Sequence, residues 1–251
     1  MIPISDDNPT LRSPLMTYLI IGINVLVWLI FEEAGRDPYA LAASVCNFGL
    51  VPGEITRLAP VGEAVPLGGN AACVVDRDPI NVFTPLTSMF LHGGWGHIAG
   101  NMLYLWIFGN NVEDSMGRFR FLVFYVLCGF AAAATQVAMA PSSPVPMVGA
   151  SGAISGVMGA YLLLYPRVRV NVFFPPLFIF PVAAYLVLLL WIGTQLLAGF
   201  FGAAGAEGAG VAFWAHIGGF AAGLVLVKVF EDRNMTAVRA RLRHQFHPEH
   251  P

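Results

Sequence analysis

Gly149-Ala150-Ser151-Gly152 and Ala215-His216-Ile217-Gly218-Gly219 set a serine and a histidine inside two long apolar runs. Both runs are candidates to lie in a lipid bilayer. A strongly polar or ionisable side chain is expensive there and usually marks function. A hydroxyl and an imidazole that can meet at membrane depth are a nucleophile and a base. Together they point to hydrolysis of a peptide bond below the lipid surface.

Composition agrees with a bilayer setting. Of 251 residues, 57% are hydrophobic and only 11% are charged, where a soluble domain carries about 25% charge. The chain reads as an integral membrane protein. The net charge of −2 is uninformative about partners, and no nucleic-acid partner is expected. Three cysteines are too few for a disulfide scaffold. Cys128 lies in an apolar run and reads as core. Cys46 and Cys73 share the first long loop and would pair if that loop faces an oxidising compartment. No cleavable signal peptide is evident; the first apolar run, followed by Glu32-Glu33, reads as a retained signal anchor.

Apolar runs bounded by charge or by Pro and Gly give six expected spans: 15–31, 96–112, 119–139, 150–165, 172–198 and 211–230. Residues 1–14 form an expected cytoplasmic segment, 15–230 the six-helix domain with an external loop over about 32–95, and 231–251 a cytoplasmic tail. With the N-terminus inside, 10 of the 13 Lys and Arg fall on the cytoplasmic side, leaving Arg36, Arg57 and Arg77 in the long loop. That bias places both termini in the cytoplasm. The tail's His244, His247 and His250 follow four arginines with no metal-ligand spacing, so a solvated tail is expected and no metal.

The helix rise then serves as a ruler. Measured from Arg167, Glu231 and Glu113, Ser151 stands about 24 Å above the cytoplasmic anchor, His216 about 22 Å, His97 about 24 Å and Asn101 about 18 Å. Four polar side chains on three helices come out at similar depth, as one polar site would produce. His97 and Asn101 stand at i and i+4 on one face. Ser151, Ser155 and Gly159, with Gly152, Gly156 and Ala160, line the fourth helix in small residues. His216, Gly219 and Gly223 do so on the sixth. Small residues at spacing four let helix backbones approach closely in lipid, which would bring the Ser151 hydroxyl to His216. Taken singly, each has a plainer reading. A serine in such a helix packs or bonds its own i−4 carbonyl, and a lone histidine relays protons, binds metal or donates structurally. His92 reads as interfacial.

His92-Gly93-Gly94-Trp95-Gly96-His97 followed by Asn101, Gly149-Ala150-Ser151-Gly152, and Ala215-His216 with Gly219 and Gly223 resemble the rhomboid family of intramembrane serine proteases. The join from Glu113-Asp114 to Gly117-Arg118 resembles that family as well, and agreement runs in order from about 83 to 230. The resemblance implies an all-α, six-transmembrane-helix bundle whose short fourth helix begins partway down a water-filled cavity. It implies Ser151 as nucleophile, His216 as general base, and His97, Asn101 and the Ser151 backbone amide as oxyanion donors. No carboxylate falls inside a span at this depth, so a dyad is expected, without cofactor. Single-pass membrane proteins are the implied substrates, cut near the outer boundary, and a bacterial plasma membrane is the implied location.

Two positions depart from the family. Many members carry an aromatic residue four places after the nucleophile, beneath the imidazole; here it is Ser155, which leaves a hydrogen bond or other packing to hold His216. The Trp-Arg pair of the first loop is absent. The Gly/Ala-rich run 199–210 reads either as a mobile cap or as a plain connector. The resemblance makes the fifth helix, with Phe178, Phe180, Pro181, Tyr185 and Trp191, a lateral gate. The alternatives are a transporter with polar midplane residues, and a rhomboid-like protein that binds membrane clients without cutting them. Against the first stands the lack of acidic residues in the spans, and against the second the presence of both Ser151 and His216.

Overall fold

The computed structural model describes residues 2–68, 71–176, 178–201, 212–232 and 234–235. Strand β1 (Ile2–Asp6) leads into helix α1 (Leu15–Ile30). No local side chain caps α1, and its first-turn amides would be left unpaired. They are met from nearly a hundred residues away. Glu113 accepts from the Met16 N–H at 3.0 Å, the Thr17 N–H at 2.7 Å and the Thr17 hydroxyl at 2.8 Å. An anion at a helix N-terminus also complements the helix dipole. Neighbouring Asp114 accepts from the Leu11 N–H at 2.7 Å, and both carboxylates are buried.

The segment that follows α1 is folded. It contains α2 (Pro38–Phe48), α3 (Pro52–Thr56), the hairpin of β2 (Ala64–Gly68) and β3 (Ala71–Val74), and α4 (Thr84–Thr87) between the 3-10 turns Pro79–Phe83 and Ser88–Phe90. A disulfide between Cys46 and Cys73 joins α2 to β3. The far end of α1 is pinned by Glu32, whose two oxygens accept from the His92 N–H at 2.9 and 3.1 Å. Buried Trp28 meets Trp95 edge-on at 5.5 Å.

Helix α5 (Trp95–Tyr104) runs through a π-helical turn, Leu105–Gly109, into α6 (Asn110–Met116). Gly117, at φ 82°, takes a left-handed turn that separates α6 from α7 (Arg118–Met139). Helix α8 (Ser151–Leu164) is the centre of the molecule, with every residue from Gly152 to Tyr161 buried. It packs most extensively against α10 (Phe213–Phe230). A Cβ at Gly219 would overlap the Gly152 carbonyl, and one at Gly223 the Gly156 carbonyl. The small-residue stripes therefore form a backbone-to-backbone seam.

The expected fifth span, 172–198, needs correction. Its first part is a β-hairpin of β4 (Arg169–Phe174) and β5 (Phe178–Ala183), and helix begins only at α9 (Ala184–Phe201). β1 pairs antiparallel with β4, giving a sheet in the order β1-β4-β5. The run 170–182 is β-branched, aromatic and Pro-containing. Its continuous hydrophobicity hides the period that separates strand from helix, while Pro175-Pro176 and Pro181 oppose helix. α9 also continues through Gly199 to Phe201, so the Gly/Ala-rich run does not start at 199; the remainder, 202–210, lies outside the described residues, as does the tail from 236.

The described residues are mostly helical, and three helices, α7, α9 and α10, are long and apolar enough to cross a membrane. α1 and α8 are shorter apolar helices.

Two outcomes test this packing. Gly223→Ala must push α8 from α10, with overpacking of about 1–3 kcal/mol, so the thermal midpoint in detergent falls on the order of 5 °C; an unchanged midpoint would deny the seam. Burial raises Glu32 to about pH 7 from the usual 4.5, against the opposing bond from the His92 N–H. The folded state thus holds the extra proton between those values, and this contribution to stability declines as pH rises through the window. Glu32→Gln removes that decline; identical pH slopes in both proteins would refute it.

Candidate active site

Ser151 is the first residue of α8. The approach to it is constrained: Gly149 sits at φ 121°, and its N–H donates to the Ser88 carbonyl at 2.8 Å. Further back, Met147 and Leu50 exchange backbone bonds of 2.7 and 2.9 Å. A short bridge to the segment between α1 and α5 thus fixes where α8 begins.

The α8–α10 seam carries His216 to the serine. Its Nε2 lies 2.8 Å from Ser151 Oγ. Its Nδ1 lies 2.8 Å from Gln195 Oε1 on α9, and the Trp191 ring, also on α9, is 5.7 Å from the imidazole. The Ala215 N–H, just ahead of the histidine, donates to Gln136 Oε1 on α7 at 3.2 Å. Ser155 does not touch the imidazole; its hydroxyl donates to the Ser151 carbonyl at 2.6 Å.

His97 and Asn101 approach from α5. A Cβ at Gly149 would stand 2.6 Å from His97 Nε2 and 3.5 Å from Asn101 Nδ2, so both side chains converge on the backbone two residues before Ser151. Asn101 is 7% exposed, and its Nδ2 has no hydrogen-bond partner among the described residues. A buried donor left open is unusual and calls for a reason. All four expected site residues line one cavity of about 1300 Å³, whose wall includes α2, β2 and Trp191. No carboxylate appears among its described lining residues.

His92, which the sequence suggested as interfacial, is fully buried within the protein and meets His97 edge-on at 5.1 Å. Burial, reinforced by His97, lowers its pKa to about 3, so it is neutral at pH 7. Depth counted along the chain cannot reveal these contacts, which come from Glu32 at the end of α1 and from His97 on α5. Gln195 and Trp191 escaped as contacts of the imidazole. The available signal was a lone amide one turn after a tryptophan in an otherwise apolar helix.

A model of the Rhomboid domain matches residues 80–232. The chain belongs to the rhomboid family. It is 34% identical over 154 residues to Rhomboid protease GluP of Bacillus subtilis, which covers 60% of this chain and 24% of that protein. It is 28% identical over 179 residues to RHOMBOID-like protein 6, mitochondrial, of Arabidopsis thaliana, covering 65% and 51%. Against Rhomboid protein 1, mitochondrial, of Saccharomyces cerevisiae, identity is 32% over 113 residues, covering 41% and 31%. The chain therefore spans from a quarter to half of the length of these relatives. A rhomboid domain with apolar helices of spanning length makes this rhomboid an integral membrane protein.

Gly149→Ala tests the convergence. The methyl meets His97 in a backbone conformation that L residues rarely adopt. The thermal midpoint in detergent should fall by about 5 °C, as expected for about 1–3 kcal/mol of backbone strain and crowding. An unchanged midpoint would show that His97 is not held there.

Proposed function

We propose that this rhomboid is an intramembrane serine endopeptidase working by a Ser151–His216 dyad. The observation that supports this best is the 2.8 Å contact between Ser151 Oγ and His216 Nε2, made by two apolar helices at the wall of a large cavity. Hydroxyl and base are within proton-transfer reach.

His216 removes the Ser151 proton as the oxygen attacks the substrate carbonyl. The tetrahedral oxyanion is met by His97, by the open Nδ2 of Asn101 and by the Ser151 backbone N–H, which points from the first turn of α8. The imidazolium then gives its proton to the leaving amine, and water releases the acyl group by the same route in reverse. Without a carboxylate among the described lining residues, the base works as half of a dyad.

The domain is read as a six-span bundle: α1, α5 with α6, α7, α8, α9 and α10. The helices too short to satisfy a length criterion alone are carried within it. The arginine bias puts both termini in the cytoplasm, in keeping with a bacterial plasma membrane. Substrates are single-pass membrane proteins. An intact helix hides its carbonyls in backbone bonds, so cleavage favours Gly, Ala or Pro near the outer boundary, where the helix opens most readily.

The assay is cleavage of tagged single-span proteins in liposomes, with fluorophosphonate labelling in parallel. Ser151→Ala and His216→Ala should abolish both with the fold retained. Asn101→Ala should lower kcat by about 10²-fold, the effect of losing one oxyanion donor. Equal labelling of wild type and Ser151→Ala would remove the nucleophile. A folded wild type that captures single-span proteins but neither labels nor cuts would favour client binding.

A further inference from the structure

We infer that Gln195 is a positioning residue for the proposed base: its side-chain carbonyl selects the His216 tautomer whose Nε2 lone pair faces Ser151. The inference rests on the hydrolase reading above and names a third member of the same site.

The hydrogen-bond pattern around the amide decides which way it points. Thr194 Oγ1 lies 2.6 Å from the Trp191 carbonyl, to which its proton is committed. The Thr194 oxygen is then an acceptor, and Gln195 Nε2 lies 3.1 Å from it and 3.4 Å from the Trp191 carbonyl. Both partners accept, so the NH₂ end belongs on that side. Gln195 Oε1 consequently faces His216 Nδ1, at 2.8 Å. An amide oxygen only accepts, so Nδ1 carries the proton and Nε2 keeps a free lone pair. With the amide turned round, its NH₂ would require the hydrogen on Nε2. That imidazole could not take the Ser151 proton.

The neutral amide suits this place. A carboxylate here would be a charge in an apolar setting, paired only when the histidine is protonated. The amide oxygen fixes the ring by hydrogen bonding and carries no net charge, while Trp191 packs against the imidazole in the absence of an aromatic residue at position 155. The same oxygen favours the imidazolium over neutral imidazole, because the bond to Nδ1–H strengthens when the ring is charged.

The test uses the full chain in detergent micelles. In Gln195→Leu, kcat should fall about 10-fold or more with KM within twofold, and the acid limb of the kcat/KM profile should move to lower pH, since the imidazolium has lost an acceptor. In Gln195→Glu, which keeps the shape and the acceptor, the limb should move to higher pH, with much of the rate regained above it. A packing role would not shift the two profiles in opposite directions. ¹⁵N shifts of His216 read the tautomer without turnover: Nδ1–H in the wild type, and a mixture in Gln195→Leu.

A wild-type ring with Nε2–H overturns the assignment, as does a pH profile unmoved in Gln195→Glu, whether or not the leucine variant folds. Failure of wild type to cleave, with the Nδ1–H tautomer present and lost in Gln195→Leu, would discard the hydrolase reading while leaving the hydrogen bond standing.

Discussion

The structure depends on two helix backbones touching, Gly152 against Gly219 and Gly156 against Gly223. Lipid supplies no hydrophobic drive between helices, so packing contact is what joins them. Glycine serves here by having no side chain, and the resulting seam has a chemical consequence. Serine is short, and across a leucine-lined interface its hydroxyl would fall ångströms short of a neighbour. The seam that removes the β-carbons at positions 152, 156, 219 and 223 allows Ser151 and His216 to reach 2.8 Å. Stability and site geometry thus draw on the same glycines.

Around that seam the buried carboxylates keep to helix ends. Glu113 and Asp114 close the start of α1 and the segment before it, and Glu32 ties the end of α1 to the entry of α5. Each accepts backbone amides that would otherwise be unpaired, which is how a burial-averse group can be retained. Tyr165 with Ser115, and Tyr161 with Asp6, extend the polar packing at the same end as Glu113. The described lining of the cavity is left to polar groups other than carboxylates: the hydroxyls of Ser88, Tyr104 and Ser151, the Asn101 amide and the His97 and His216 imidazoles.

Much of the site was legible because its signals are spacings. Small residues every fourth position mark a close helix pair, and similar distances from charged anchors suggested a shared depth for Ser151, His216, His97 and Asn101. The beginning of the fifth helix was not legible. Val170, Val172, Phe173 and Phe180 are apolar without a period, and the β1 strand that pairs with β4 lies more than 160 residues away in sequence. The burial of His92 was not legible for a related reason. Its backbone N–H meets Glu32 from the end of α1 and its ring meets His97, contacts that a count of helix turns cannot see. The Cys46–Cys73 disulfide was one of two open outcomes, since spacing alone does not say which thiols meet.

The support of the imidazole shows how one side chain can be replaced from another helix. Ser155 stands where relatives often place an aromatic ring, and the sequence left a hydrogen bond or other packing to hold His216. In the fold the serine returns its proton to the Ser151 carbonyl one turn back, and the ring is instead met from α9 by Trp191 and Gln195. The contact has moved from the helix of Ser151 to its neighbour. Among the described residues of α9 only Ala184, Val187 and Leu188 are buried, all in its first part. The later turns are seated by ring and polar contacts to α10, Trp191 and Gln195 on His216, Trp191 on Phe220 and Phe200 on Trp214, so the orientation of His216 is tied to the seating of α9.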